Sequence, residues 1–157
     1  MKICVVGAGA IGGYLAVRLA GIGEQVSVVI RGANLAAVRA SGMKLINADG
    51  TEQVAQLAAT DTMAELGLQD VVILGMKAHQ VAPAVAQLAS LIGPQTLVVT
   101  AQNGIPWWYF FKHGGPHEGA RIEAVDPGGV ISTGLPVDRT LGCIVYPAAE
   151  LDAPGVI

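Results

Sequence analysis

Short apolar runs alternate along the chain with segments in which apolar residues recur every three or four positions. Ile3-Cys4-Val5-Val6 is the first run and predicts a buried strand. Behind it, Ile11, Leu15, Leu19 and Ile22 keep near-helical spacing, and Gln25-Val26-Ser27-Val28-Val29-Ile30 predicts a second strand. Asn34 to Ala40 reads as a short helix, with Asn34 as its cap and Gly42 as its stop. Met43-Lys44-Leu45-Ile46 and the run Thr51 to Leu57 flank Asn47-Ala48-Asp49-Gly50, which predicts a β-hairpin set into the strand–helix rhythm. Asp61 to Leu66 predicts one or two helical turns. Val71 to Gly75 reads as a further buried strand, followed by a helix with Val81, Val85, Leu88 and Ile92 on one face, Pro83 in its first turn and Gly93-Pro94 as its end. Thr96 to Thr100 predicts the next strand. Beyond Ile105 the rhythm breaks into an aromatic run, Trp107 to Phe111, a glycine-rich loop from Lys112 to Gly119, and a helical turn at Pro127-Gly128-Gly129. A last strand is predicted over Thr140 to Tyr146.

Strands alternating with helices predict one α/β domain over residues 1–157, a Rossmann-like doubly wound, mainly parallel sheet with helices on both faces. Composition fits a sheet covered on both sides: 52% of the 157 residues are hydrophobic and 13% charged, with mean hydropathy +0.54. The net charge of −3 comes without a basic stripe, which argues against a nucleic-acid partner. Cys4 and Cys143 both fall in apolar runs and read as small buried hydrophobes of a reducing compartment. Lys2 and the apolar start imitate a signal peptide, but Gly7, Gly9, Gly12 and Gly13 interrupt it, and no apolar run has the length of a membrane span. These features predict a soluble cytoplasmic protein. The apolar residues Ala153 to Ile157 read as a cut end. Pairing there with a second copy, as in a homo-oligomer, stays open.

The candidate chemistry begins at Gly7-Ala8-Gly9-Ala10-Ile11-Gly12, between the first strand and the first helix. Gly7 permits a sharp turn, Gly9 lets backbone approach a pyrophosphate, and Gly12 lets helix pack closely on strand, while the helix N-terminus offers free N–H groups. The second strand ends in Arg31, with no acidic residue between Gln25 and Ala48. A carboxylate there would hold a ribose 2′-hydroxyl, whereas a guanidinium suits a 2′-phosphate, so the predicted cofactor is NADP(H). Lys77 and Asn103 follow the next two strands. Lys77 is either a solvated lysine or a positive charge near cofactor or anionic substrate. Asn103-Gly104 is either a plain turn or an amide placed to hold a nicotinamide or a substrate oxygen. His113 and His117 are four apart, but two glycines and a proline between them remove the helical spacing a metal pair would need, and they read as loop histidines.

Taken in order, the glycine turn, Arg31 closing the second strand, Lys77-Ala78-x-Gln80, Asn103-Gly104 and the later Gly142, Ala148 and Pro154-Gly155 resemble the ketopantoate reductase (2-dehydropantoate 2-reductase) family across the whole chain. The resemblance implies NADPH-dependent reduction of 2-dehydropantoate to pantoate, a step toward pantothenate. It implies that Gly7, Ala8, Gly9, Ala10, Ile11 and Gly12 hold the pyrophosphate, Arg31 the 2′-phosphate, and that Lys77 and the Ala148 backbone touch the cofactor. Asn103 would lie between nicotinamide and substrate as the one catalytic candidate. Family members carry their proton-donating lysine in a helical C-terminal domain, so this chain is expected to be the NADP(H)-binding part, inactive alone. The aromatic run departs from the more polar segment expected there. Alternative functions are a non-catalytic NADP-binding module that senses redox state or joins a partner, and a reductase of another 2-oxo acid or an imine.

Overall fold

A computed structural model describes residues 1–157. Its sheet has six strands, all paired in parallel: β1 (Lys2–Val6), β2 (Gln25–Val29), β5 (Ala58–Thr60), β6 (Gln69–Leu74), β7 (Ile92–Thr100) and β8 (Thr140–Gly142), in the order β5-β2-β1-β6-β7-β8. The chain winds outward from β1 in both directions, which is the Rossmann-like doubly wound arrangement. Helix α1 (Ala10–Gly21) links β1 to β2, α2 (Gly32–Ser41) follows β2, α3 (Val81–Leu88) follows β6, and the short α4 (Val130–Gly134) precedes β8. A separate antiparallel hairpin, β3 (Met43–Ile46) with β4 (Glu52–Ala55), packs against α1.

The period of two along each strand divides the core. Ile3 and Val5 of β1 point to one face, with Val17 of α1, Val38 of α2 and Met43 of β3. Cys4 and Val6 point to the other, with Val81, Val85 and Leu88 of α3 and Ile131 of α4. Burial pushes the Cys4 thiol up to about 11, so it sits in the core as a neutral hydrophobe. Cys143 lies past the end of β8 and is only half-buried.

Four sequence expectations are corrected. The first helix after β2 begins at Gly32 with Arg31 as its cap residue; Asn34 instead accepts from the Gly155 N–H at 3.0 Å. The helix over α3 stops at Leu88, because Ile92 is drawn into β7 opposite Gln69. Gly93-Pro94 then lies in a register break of the strand, where Thr96 Oγ1 donates to the Gln69 carbonyl at 2.6 Å and Arg139 Nη1 donates to the Gly93 and Thr96 carbonyls at 2.8 and 3.0 Å. The second run of the hairpin, expected over Thr51 to Leu57, is paired only over Glu52–Ala55, and Ala58–Thr60, for which the pattern predicts no strand, forms β5 and pairs with β2. The last strand ends at Gly142, leaving Ile144 and Tyr146 exposed. The final residues run alongside β3, with Lys44 N–H donating to the Gly155 carbonyl and Ile157 N–H to the Lys44 carbonyl, both at 2.9 Å. No helix is long and apolar enough to cross a membrane.

Candidate functional site

Because the six strands are parallel, their carboxyl ends open along one rim. At its centre is the turn after β1. Gly7 has φ +88°, and a Cβ there would sit 2.7 Å from the backbone nitrogen of Met76, so only glycine fits. A Cβ on Gly12 would press on the Gly7 carbonyl, so α1 can lie this close to β1 only without one. Gly9 is the opposite case. It caps α1 in an ordinary negative-φ conformation, is exposed, and a Cβ built on it meets no atom within 4 Å. The Ala10, Ile11 and Gly12 amides at the head of α1 have no acceptor in the protein. The turn is therefore closed underneath and open above, with N–H groups and the positive end of the helix dipole facing the opening. An anionic group close to backbone fits that cradle.

Arg31 stands at the exit of β2, on one side of the glycine turn. Its side chain is exposed and takes part in none of the three ion pairs, which join Met1 to Glu24, Lys44 to Glu52 and Arg121 to Glu123. Asp61 follows β5 at the neighbouring exit, since Ile30 N–H donates to the Thr60 carbonyl at 3.0 Å. It is a carboxylate near Arg31 in strand order that sequence spacing does not reveal.

On the other side, β6 delivers Lys77 and β7 delivers Asn103, both exposed. Gln80 locks the Lys77 turn from both ends: its Oε1 accepts from the Lys77 N–H at 3.1 Å and its own N–H donates to the Lys77 carbonyl at 2.9 Å. Gln102 Nε2 donates to the Met76 carbonyl at 2.9 Å and ties the two exits together. Asn103 borders a cleft with Val81, Ile105, Trp107 and Ile131. Trp107 is buried and its Nε1 has no partner. Ala148 is exposed in the segment after β8 and no hydrogen bond ties it to the other candidate residues, although Val145 and Ala149 of the same segment pack against the apolar cluster that holds β1 and α1 together. The structure thus brings the glycine turn, Arg31, Lys77 and Asn103 to one rim, while Ala148 makes no hydrogen bond to any of them. His113 and His117 pack their rings on Phe110, at centroid distances of 5.3 and 5.5 Å. Pattern reading missed Gln102 and Asp126. Asp126 is fully buried, and its carboxylate accepts from the Ile131 and Ser132 amides at 2.7 and 3.2 Å, fixing the start of α4 beneath the cleft.

Comparison with known proteins matches residues 3–113 to the family described as Ketopantoate reductase PanE/ApbA. A 2-dehydropantoate 2-reductase of Mesorhizobium japonicum is 54% identical over the full chain, which covers 48% of that protein. A crystal structure from Ralstonia solanacearum, assigned as a ketopantoate reductase, superimposes with TM-score 0.90 at 47% identity over 98% of this chain and 47% of its own. A ternary structure of D-mandelate dehydrogenase with NADH and anilino(oxo)acetate superimposes with TM-score 0.76 at 25% identity, over 99% of this chain and 44% of its own. The chain spans about half the length of these relatives.

Proposed function

The chain belongs to the ketopantoate reductase PanE/ApbA family, and on that footing we propose that it is the NADP(H)-binding domain of a 2-dehydropantoate 2-reductase. The observation that carries the reading is the cradle at Gly9, open above a packed turn, with the unpaired Arg31 guanidinium at the next strand exit. In this reading the backbone from Gly7 to Gly12 holds the diphosphate. Arg31 binds the 2′-phosphate through charge-assisted hydrogen bonds. Lys77 adds positive charge on the far side of the turn, and the backbone near Ala148 closes the margin. NADPH, when bound, supplies a hydride to the 2-oxo carbon. Asn103 is the residue that fixes alignment, its amide able to donate to one oxygen and accept from another. The proton donor and the remaining substrate contacts are assigned to the part of the full-length relatives that this chain does not match, so the chain by itself binds cofactor without turning substrate over.

A second reading keeps the chemistry and changes the acid. It is favoured by the likeness to D-mandelate dehydrogenase and by the apolar side chains around Asn103.

Calorimetric titration of the chain tests the cofactor: NADPH is expected to bind, and more tightly than NADH. Equal affinity, or no binding, overturns the assignment. A full-length protein carrying this domain, assayed with NADPH against a panel of 2-oxo acids, separates the two readings. Turnover of other acids but not of 2-dehydropantoate replaces the first with the second.

A further inference from the structure

The ladder between β6 and β7 stops one rung short of where the backbone could carry it. Leu74 pairs with Thr100, and the Ala101 N–H donates to the Leu74 carbonyl at 3.2 Å. Bonds on one strand of a parallel ladder recur at every second residue, so the next would join the Asn103 N–H to the Met76 carbonyl. That carbonyl is instead taken by the side chain of Gln102, at 2.9 Å. Neither the Asn103 N–H nor its side-chain amide then has a partner in the protein. Met76 is also the wall on which the Gly7 turn rests. One half-buried glutamine thus connects the glycine turn, the segment leading to Lys77 and the exit that carries Asn103.

We propose that Gln102 is a positioning residue for the nicotinamide half of the cofactor. By occupying the Met76 carbonyl it keeps Asn103 out of the ladder, so that Asn103 presents both its backbone N–H and its side-chain amide at the strand exit. The proposal rests on the NADP(H) reading above. Its reach is one-sided, because β2 with Arg31 and β7 with Asn103 lie on opposite sides of β1 in the sheet. Loss of the bridge leaves the adenosine end untouched.

The variant Gln102→Leu keeps the bulk and removes the donor. Two probes read the two ends: NADPH, and adenosine 2′,5′-bisphosphate, which carries the adenosine half alone. In the free chain, Gln102→Leu is expected to slow hydrogen exchange at the Asn103 amide, as the vacated carbonyl accepts the missing rung. NADPH affinity is expected to fall roughly three- to tenfold, the scale of one lost hydrogen-bonding group, with affinity for the bisphosphate unchanged. Gln102→Glu at about pH 8 has the same shape, lacks the donor and should show the same split in affinity. Equal losses on both probes would mark a general structural defect and overturn the proposal, as would NADPH affinity unmoved in both variants. A wild-type chain binding neither probe would bring down the cofactor reading itself, and this proposal with it. A wild type that binds both, with variants that match it, removes Gln102 alone.

Discussion

Gly9 and Gly12 lack a side chain for opposite reasons, and the difference can be measured. At Gly12 a Cβ would meet the Gly7 carbonyl, so Gly12→Ala is a packing lesion. At Gly9 a Cβ enters open space, with φ −76° acceptable to any residue. Gly9→Val is therefore expected to leave the circular dichroism spectrum and thermal transition close to wild type while abolishing NADPH binding. A valine variant that still binds would show that no phosphate approaches this turn. Arg31 is tested by selectivity. It makes no ion pair in the protein, so Arg31→Ala should cost little stability. Removing charge-assisted hydrogen bonds worth about 1.5–3 kcal/mol should weaken NADPH roughly ten- to a hundredfold by calorimetry. NADH, without the 2′-phosphate, should move by less than about twofold. Both residues announce themselves in the sequence, because glycine and arginine carry their meaning in residue type and place. Gln102 does not. A glutamine after a strand is unremarkable until its Nε2 is seen on the Met76 carbonyl, a contact across 26 positions of chain.

Among the elements, those with a strong period were readable and those made by pairing were not. β1, β2, β6 and the β3–β4 hairpin follow from their apolar runs and the Asn47 to Gly50 turn. β5 has three residues and exists because the edge of β2 accepts it, while β8 starts at Thr140 as its apolar run predicts and stops after three residues, where its pairing with β7 ends. The true end of α3 was hidden for a related reason: Ile92 continues the helical stripe, yet pairing with Gln69 draws it into the sheet. α4 follows directly on the helical turn expected at Pro127 to Gly129, but what holds it is not local. Val130–Gly134 is five residues long and too short to hold itself together. Its start is pinned by Asp126, whose buried carboxylate accepts two of the amides that a helix start leaves free. Asp126→Ala removes that acceptor and leaves the buried Ile131 N–H without a partner. It is expected to lower unfolding free energy by about 1–3 kcal/mol, read as a shift of the urea midpoint. Asp126→Asn keeps an oxygen in place and should cost less. Equal midpoints for wild type and Asp126→Ala would show that α4 needs no anchor.

On the scale of the whole molecule, the rim of candidate residues is only as stable as the layers that hold α1 against the sheet. One face of α1 is covered by the hairpin, and the hairpin is itself completed by Gly155 to Ile157 lying along β3. Ile157 is the contact through which that strip reaches the core. It is buried, and it belongs to the same apolar cluster as Val5, Val17, Val28 and Met43. Its side chain packs against Gly13, one residue past the glycine turn, so the strip supports the helix at the end that faces the rim. Pattern reading treated these residues as a bare apolar terminus, because nothing local shows that Lys44 accepts from and donates to them. Ile157→Ala removes most of a buried side chain and leaves a cavity between α1 and β3. The expected loss is about 2–4 kcal/mol of unfolding free energy, within the range for buried isoleucine truncation. Ile157→Val, which removes a single methyl group, should cost about 0.5–1.5 kcal/mol. The ordering of the two variants is the informative part. A steep loss from valine to alanine, in urea unfolding followed by tryptophan fluorescence, is what a packed contact predicts. Midpoints that coincide for all three proteins would mean that the strip is not part of the folded core and that the hairpin alone covers α1.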